Sequence, residues 1–534
     1  MKYLRALLSA FLLAALLAGS LAGCGHDSSA NQVVRFALDA APVHLDPQLA
    51  QSEAELLIVR NTMEGLLRYD AAGKLQNGVC ESWSVSEDRT TYTFSLRKNA
   101  VWADETPLTA QDFAFGLTRA LLPETAAPFA QALYAIHGAQ QVHAGTASAD
   151  TLGVRALDEQ TLEIRLSVPD ENFPSVLTQA VAMPCNRAFF EGAGGRYGLD
   201  SDTLLCNGPF YLRSWDEGGD SARLSRNDAY KGDFSAKPAA VSLYFGQPTE
   251  ELLKELEEDK LDAAVLDCTA LGQAREAGLR DVQFHDTAWS VLVNPNAPVL
   301  GSEAAARALS LSLDRAALAK DLPEGFALCD GVVAPDALAV NKPYRPLSKA
   351  GRAYSYDPDR AKADFTQALQ DESYKSLPES TLLYVEGGDR KLVASRLAQA
   401  WQQTLGAFLN IEAVSADELR DRTRSGNYQL ALCPVSAGDH TARGALAQFS
   451  SKPELGAFGY ENPQFDAALD AAGTGLSDEA LAEALSDAEN VLLADSRILP
   501  VFSSATCYVF SPALTGFSPD RRQGSVDFSG VGKQ

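Results

Sequence analysis

The chain predicts a mixed α/β protein divided into two lobes, and three observations carry that prediction. Its 534 residues are more than a single hydrophobic core organises, so two or more lobes are required. Helical and strand patterns alternate. A helical stretch from Thr249, with Glu250 and Glu251 in its first turn and Leu252, Leu253 and Leu256 on one face, precedes the apolar run Leu261 to Leu266. Similar units recur at Ser302 to Lys320 and where Leu397, Trp401 and Leu405 precede Asn410 to Val414. No internal repeat, low-complexity tract or long linker interrupts the chain, so strands rather than a flexible segment are expected to join the lobes and to serve as their hinge.

Lys2 and Arg5 precede the apolar run Ala6 to Ala18, which is too short to span a bilayer and is followed by small residues, as in a targeting segment. Leu21-Ala22-Gly23-Cys24 resembles a bacterial lipobox. It implies a lipoprotein signal peptide over residues 1–23, lipidation of Cys24 and a short polar tether over 24–32. No other stretch is apolar enough to span. The expected location is the extracytoplasmic face of a bacterial cell membrane, with the lipid as the membrane contact. A formal charge of −25 repels nucleic acid and anionic lipid, which excludes both as specific partners.

Along the chain, Gln32 to Leu38 predicts the first strand and Pro42 to Pro47 a kinked loop. Glu53 to Leu67 predicts a helix with Leu57, Met63 and Leu67 inward. Tyr92, Phe94 and Leu96 alternate with Thr91, Thr93 and Ser95, the period of a half-buried strand. Thr109 is placed to cap a helix carrying Phe113, Leu117 and Leu121. Leu162, Ile164 and Leu166 alternate with Glu163 and Arg165 as a second half-exposed strand, and Asn207-Gly208-Pro209 breaks any helix before a strand from Phe210. Tyr428, Leu430 and Leu432 predict another strand, Asp478 to Leu493 a helix, and Ile498 to Phe510 the closing strands.

The order of particular residues goes further. Trp83, Asp88, Thr91 to Arg97, Trp102-Ala103-Asp104, Pro107 and Thr109 to Phe113 form one block. Leu45-Asp46-Pro47, Glu64-Gly65-Leu66, Glu124 to Phe129 and Arg226-Asn227-Asp228-Ala229-Tyr230 flank it. Together they resemble the family 5 extracellular solute-binding proteins, the peptide- and nickel-binding receptors of ATP-driven importers, in the version of the oligopeptide-binding branch. The resemblance runs from Val33 to about Gly516. It implies a periplasmic-binding-protein-like fold of cluster C, with a first lobe over 33–285 enlarged by a subdomain at about 70–185. A second lobe over 286–494 and a return to the first over 495–534 follow. It also implies a monomeric receptor that closes on an oligopeptide and delivers it to the permease subunits of an ABC importer, with no cofactor and no bond made or broken. A receptor for another solute, such as a nickel chelate or a sugar, stays open, as does a surface hydrolase. The sequence has no HExxH, no GxSxG and no phosphate loop, and its six histidines are scattered.

The same resemblance assigns ligand contacts. Asp439, in the loop after the strand at Tyr428, would receive the amino terminus of a peptide through a charge-assisted hydrogen bond. Arg424 would meet the carboxylate. Gln51, Ser52 and Glu53 would run along the ligand, and Phe129 and Trp289 would fall at aromatic cleft positions. Three departures stand out. Val435 and His440 lie around Asp439 where the family has Trp and Tyr, an ungapped alignment puts Gly438 in the aspartate's place, and Glu105 replaces a common glycine.

Seven cysteines remain after Cys24, an odd number, so at least one thiol stays free or pairs between chains. Cys185 and Cys206 would close a short loop in an oxidising compartment and are the expected disulfide, although buried free cysteines pack equally well as small apolar residues.

Overall fold

The computed structural model describes residues 32–70, 73–320, 322–351, 355–387, 390–437, 440–452, 455–473, 476–520 and 525–534. Among them an 11-stranded sheet runs through the whole molecule. In chain order its strands are β1 (Val33–Leu38), β2 (Phe210–Ser214), β3 (Ser221–Arg226), β4 (Ala240–Phe245), β5 (Ala263–Leu266) and β6 (Arg280–Val293), then β7 (Phe326–Leu328), β8 (Thr381–Val385), β9 (Asn410–Val414), β10 (Leu430–Val435) and β11 (Ile498–Phe510). In space they lie β9-β8-β10-β6-β11-β5-β1-β4-β3-β2, with β7 against β11.

Two long strands join the lobes. The first-lobe half of β11 pairs Cys507 to Phe510 with β5, while its start pairs Ile498 to Pro500 with the second-lobe half of β6. β6 in turn pairs Ala288 to Val293 with β10. The register between β6 and β11 slips between Phe284 and Thr287 and again between Trp289 and Ser290, so the ladder is weakest where the lobes meet. β6 runs unbroken across residues 285 and 286, the expected lobe boundary.

Alternation along β6 explains why the second lobe covers both sheet faces. Ala288 and Leu292 enter one apolar cluster with Leu446, Phe449 and Leu485, whereas Trp289, Val291 and Val293 enter another with Trp401 and Phe502. The enlarged part of the first lobe has its own core. There Tyr92, Phe94 and Leu96 interleave with Leu162 and Ile164 in a four-stranded sheet, and Trp102 is fully buried. Thr109 caps the helix Ala110–Ala120 in a capping box with Asp112, as its sequence predicts.

Several expectations are corrected. The first helix, α1 (Glu53–Thr62), stops five residues before Leu67. A distant loop ends it: the Thr62 carbonyl accepts the N–H groups of Asn207 and Gly208 at 3.2 and 2.8 Å, and the Asn207 side chain accepts from Glu64 N–H. A Cβ on Gly208 would come within 2.8 Å of the Thr62 carbonyl carbon, so only glycine lets that loop approach. The stretch Ser302 to Lys320 is two helices, Glu303–Leu311 and Arg315–Lys320. Pro434 lies inside β10, opposite Trp289. Glu105 holds φ +67, the left-handed conformation for which glycine is suited.

The expected Cys185–Cys206 bridge is not formed. Both are buried free thiols, and the disulfide joins Cys268 to Cys507 across a sequence separation of 239. Cys507 stands opposite Leu266 in the β5–β11 ladder, and Cys268 follows two residues later, which brings the two together.

Candidate ligand-binding site

The first turn of α1 sends two glutamates in different directions. Ser52 is the N-cap, and its hydroxyl accepts from Glu55 N–H. The Glu55 carboxylate in return accepts from the backbone N–H groups of Ser52, Gln51 and Val43 at 3.0, 2.9 and 3.1 Å. Burial acts to raise the Glu55 carboxyl, but these donors outweigh it and hold it below its usual range. Gln51 and Ser52 are thereby engaged through their backbones in shaping the loop.

Glu53 faces the lobe junction. Its Oε1 accepts the Tyr508 hydroxyl at 2.5 Å. Burial pushes its carboxyl up to about 8, with Asp39 and Asp286 adding to the rise and Tyr508 opposing it. Asp286 sits at the register slip of β6. It accepts from the hydroxyls of Thr506 at 2.8 Å and Thr287 at 3.2 Å, yet burial raises it to about 6. Asp39 follows β1 and is open to solvent, but enough protein surrounds it to raise its carboxyl, while Arg390 opposes. These three acids gather at the lobe junction, where burial raises each of them.

The second lobe supplies the facing wall. Arg390 begins α2 (Arg390–Leu405), and its guanidinium lies 5.7 Å from the Trp289 ring centre. Trp289 stacks on Phe502, and its indole N–H donates to Ser504 at 2.8 Å. At the other end of α1, seven residues and about 10 Å along the axis from Glu53, stands Arg60. Burial lowers its guanidinium to about 10, with Asp520 and Tyr508 opposing. It faces His440 of the second lobe, whose imidazole is pushed down to about 4 by burial and by Arg60, and is therefore neutral at pH 7. His440 is held at φ +53 by bonds from its N–H to Ala437 and from Leu338 N–H to its carbonyl.

The junction thus gathers Glu53, Asp39 and Asp286 near the start of α1, with Arg390 beside Asp39, and places Arg60, with Asp520 near it, at the other end of that helix. Of the residues expected here, the structure brings Glu53 and Trp289 to the junction, with Gln51 and Ser52 at the α1 cap. Phe129 instead packs against the core of the enlarged subdomain. Arg424 ends α3 (Ala416–Arg424), is exposed, and donates to the Gly456 carbonyl at 2.9 Å. It precedes the Leu430 end of β10, opposite Val293, whereas the crossing lies by Val435 and Ala288. One strand length, about 17 Å, separates Arg424 from the junction. Asp439 and Gly438 lie outside the described residues, between Ala437 and His440, and Cys24 lies outside them too. Sequence reasoning missed Arg60, Arg390, Asp39 and Asp286. Arg60 was legible, because i and i+7 share a helix face; the others come together only through long-range packing.

The model for bacterial extracellular solute-binding proteins, family 5 middle region, matches residues 74–456. The chain belongs to this family. It is a family of solute-binding proteins rather than enzymes. A relative, the oligopeptide-binding protein OppA of Bacillus subtilis, is 25% identical over 501 residues, covering 92% of this chain and 91% of that protein. The probable deoxycholate-binding periplasmic protein YgiS of Escherichia coli is 26% identical over 504 residues, covering 91% and 90%. Among solved structures, Listeria monocytogenes OppA bound to peptide superposes with a TM-score of 0.80 at 22% identity, covering 94% of this chain and 99% of that one. The likeness shows the two-lobed α/β fold.

Proposed function

We propose that this family 5 protein is an oligopeptide receptor of an ABC importer, held at the extracytoplasmic membrane face by a lipid on Cys24. The observation that carries the proposal is the charge arrangement at the lobe junction: carboxylates at the start of α1 and a guanidinium seven residues further along it suit an extended ligand with an ammonium at one end and a carboxylate at the other. The OppA and deoxycholate-binding relatives bracket the alternatives by name, and a bile-acid-like anion has no group for the acidic end. Asp439, next to His440, is proposed to receive the peptide ammonium. A desolvated ammonium needs an anion to offset its lost hydration. The cluster at Glu53 and Asp286 favours the opposite polarity, with the ammonium at the crossing strands and the carboxylate at Arg60.

Calorimetry with trialanine and N-acetyl-trialanine tests the proposal on the wild type and on the Asp439→Asn and Glu53→Gln variants. A peptide receptor that grips the ammonium binds the free peptide at least about 100-fold more tightly than the acetylated one. The variant that abolishes this preference identifies the ammonium end. Equal affinity for both peptides removes the ammonium contact, and co-purified chelates or glycans in mass spectra replace the peptide with another solute. For the anchor, Cys24→Ser should release the protein from membranes, and retention of the variant in the membrane fraction would remove the lipid.

A further inference from the structure

Besides the crossing strands, the lobes touch through a hairpin of the second lobe. Residues 337–344 fold back on themselves: Tyr344 N–H donates to Ala337 at 2.8 Å and Ala339 N–H to Lys342 at 2.9 Å. The tip is held by one carboxylate. Asp478, in the first turn of α4 (Asp478–Ala494), accepts the backbone N–H groups of Val340, Asn341 and Lys342 through a single oxygen at 2.8, 2.9 and 3.0 Å. The base is fixed farther along the same helix, where buried Glu489 accepts the Tyr344 hydroxyl at 2.9 Å. Hairpin and helix therefore move as one block.

Among the described residues, two hydrogen bonds join that block to the first lobe. The Tyr69 hydroxyl donates to the Asn341 side-chain oxygen at 2.7 Å, and the Asn172 amide donates to the Leu476 carbonyl just before α4. Both donors belong to the first lobe, and Asn172 to its enlarged part. The same hairpin is also tied to the cleft. Leu338 donates to the His440 carbonyl at 2.9 Å and accepts from Ala442 at 2.8 Å, so it is laced into the loop that carries His440. One rigid piece thus joins the cleft loop to two hydrogen bonds that hold lobe against lobe away from the crossing strands.

We propose that the hairpin 337–344 with the start of α4 is the catch of lobe closure, and that Tyr69 and Asn172 are positioning residues that engage it without touching ligand. They set the closed fraction, and apparent affinity scales with that fraction whatever the solute. Their loss must then weaken every ligand by one common factor, while a contact made to ligand weakens different ligands differently.

The test uses Tyr69→Phe, which removes only a hydroxyl, and Asn172→Ala, each read by calorimetry with trialanine and pentaalanine and by small-angle scattering without peptide. Each variant is expected to lose about fivefold in affinity, by the same factor for both peptides, and to show a larger radius of gyration than wild type. Loss confined to one peptide, or unchanged affinity with unchanged radius, overturns the catch. If neither peptide binds the wild type, the peptide proposal fails, and the radius comparison still decides the catch by itself.

Discussion

Glu53 and Glu55 are two residues apart on one helical turn, and the protein uses them in opposite ways. Glu55 is almost fully buried and gathers four backbone donors, so its charge belongs to the fold. Glu53 has one tyrosine hydroxyl and two neighbouring acids, so its charge is unfavourable in the structure and would be relieved by a cation entering the cleft. Residue type did not separate them; the direction of the side chain did. The cysteines repeat the contrast: Cys268 and Cys507 are covalently joined beside the β5–β11 ladder, while Cys185 and Cys206 pack as buried apolar thiols.

The largest expected effect breaks the second pair. Replacing Cys268 and Cys507 by serine should cost about 4 kcal/mol of stability, because the bridge closes a very long loop in the unfolded chain. Chemical denaturation measures it, and a cost below about 1 kcal/mol would mean the bridge is not formed in the mature protein. Next is Glu55→Gln, which leaves one acceptor oxygen for four backbone donors and should cost about 2–3 kcal/mol. Thermal unfolding at pH 7 checks it.

Glu53→Gln should instead raise stability near pH 8, by about 2 kcal/mol after allowance for partial exposure. Folding keeps a proton on Glu53 between the ordinary value of 4.5 and about 8, whereas the unfolded chain releases it near the ordinary value. Wild-type stability therefore falls as pH rises through that window. Glu55, with its carboxyl lowered, stabilises above its ordinary value, and this contribution is lost as pH falls through the folded value. Melting curves from pH 3 to 9 should show the Glu53→Gln variant declining less steeply than wild type toward pH 8, where Asp286 and Asp39 still contribute, and the Glu55→Gln variant losing less than wild type on the acid side. The two profiles exchanged would overturn the assignment.

Much of the fold was legible because its signals are local. The alternation of Tyr92, Phe94 and Leu96 and the cap at Thr109 needed only a few residues of context. The family resemblance named Glu53 and Trp289, which lie at the lobe junction. What failed depended on distant chain. The end of α1 at Thr62 is set by Asn207 and Gly208, and the partner of Cys268 lies 239 residues away. Arg424 lies away from the crossing for a geometric reason: it is close in sequence to the loop that carries His440, but β10 lies between them.

The smallest expected effect sharpens the opening contrast most. Tyr508 lies on β11 and gives Glu53 its single described hydrogen bond, so Tyr508→Phe removes the one donor that favours the charged form while leaving the ring packed on Phe36 and Phe284. The Glu53 carboxyl should then move further above 8, since burial, Asp39 and Asp286 all remain. The stability cost at pH 6, where Glu53 is protonated, should stay within about 1 kcal/mol. Carbon-detected NMR titration of labelled glutamate reads the shift directly. A fall toward the ordinary range would mean that water, entering where the hydroxyl stood, solvates the carboxylate better than tyrosine does, and Glu53 would then be a hydrated wall residue instead of an enclosed acid awaiting a cation.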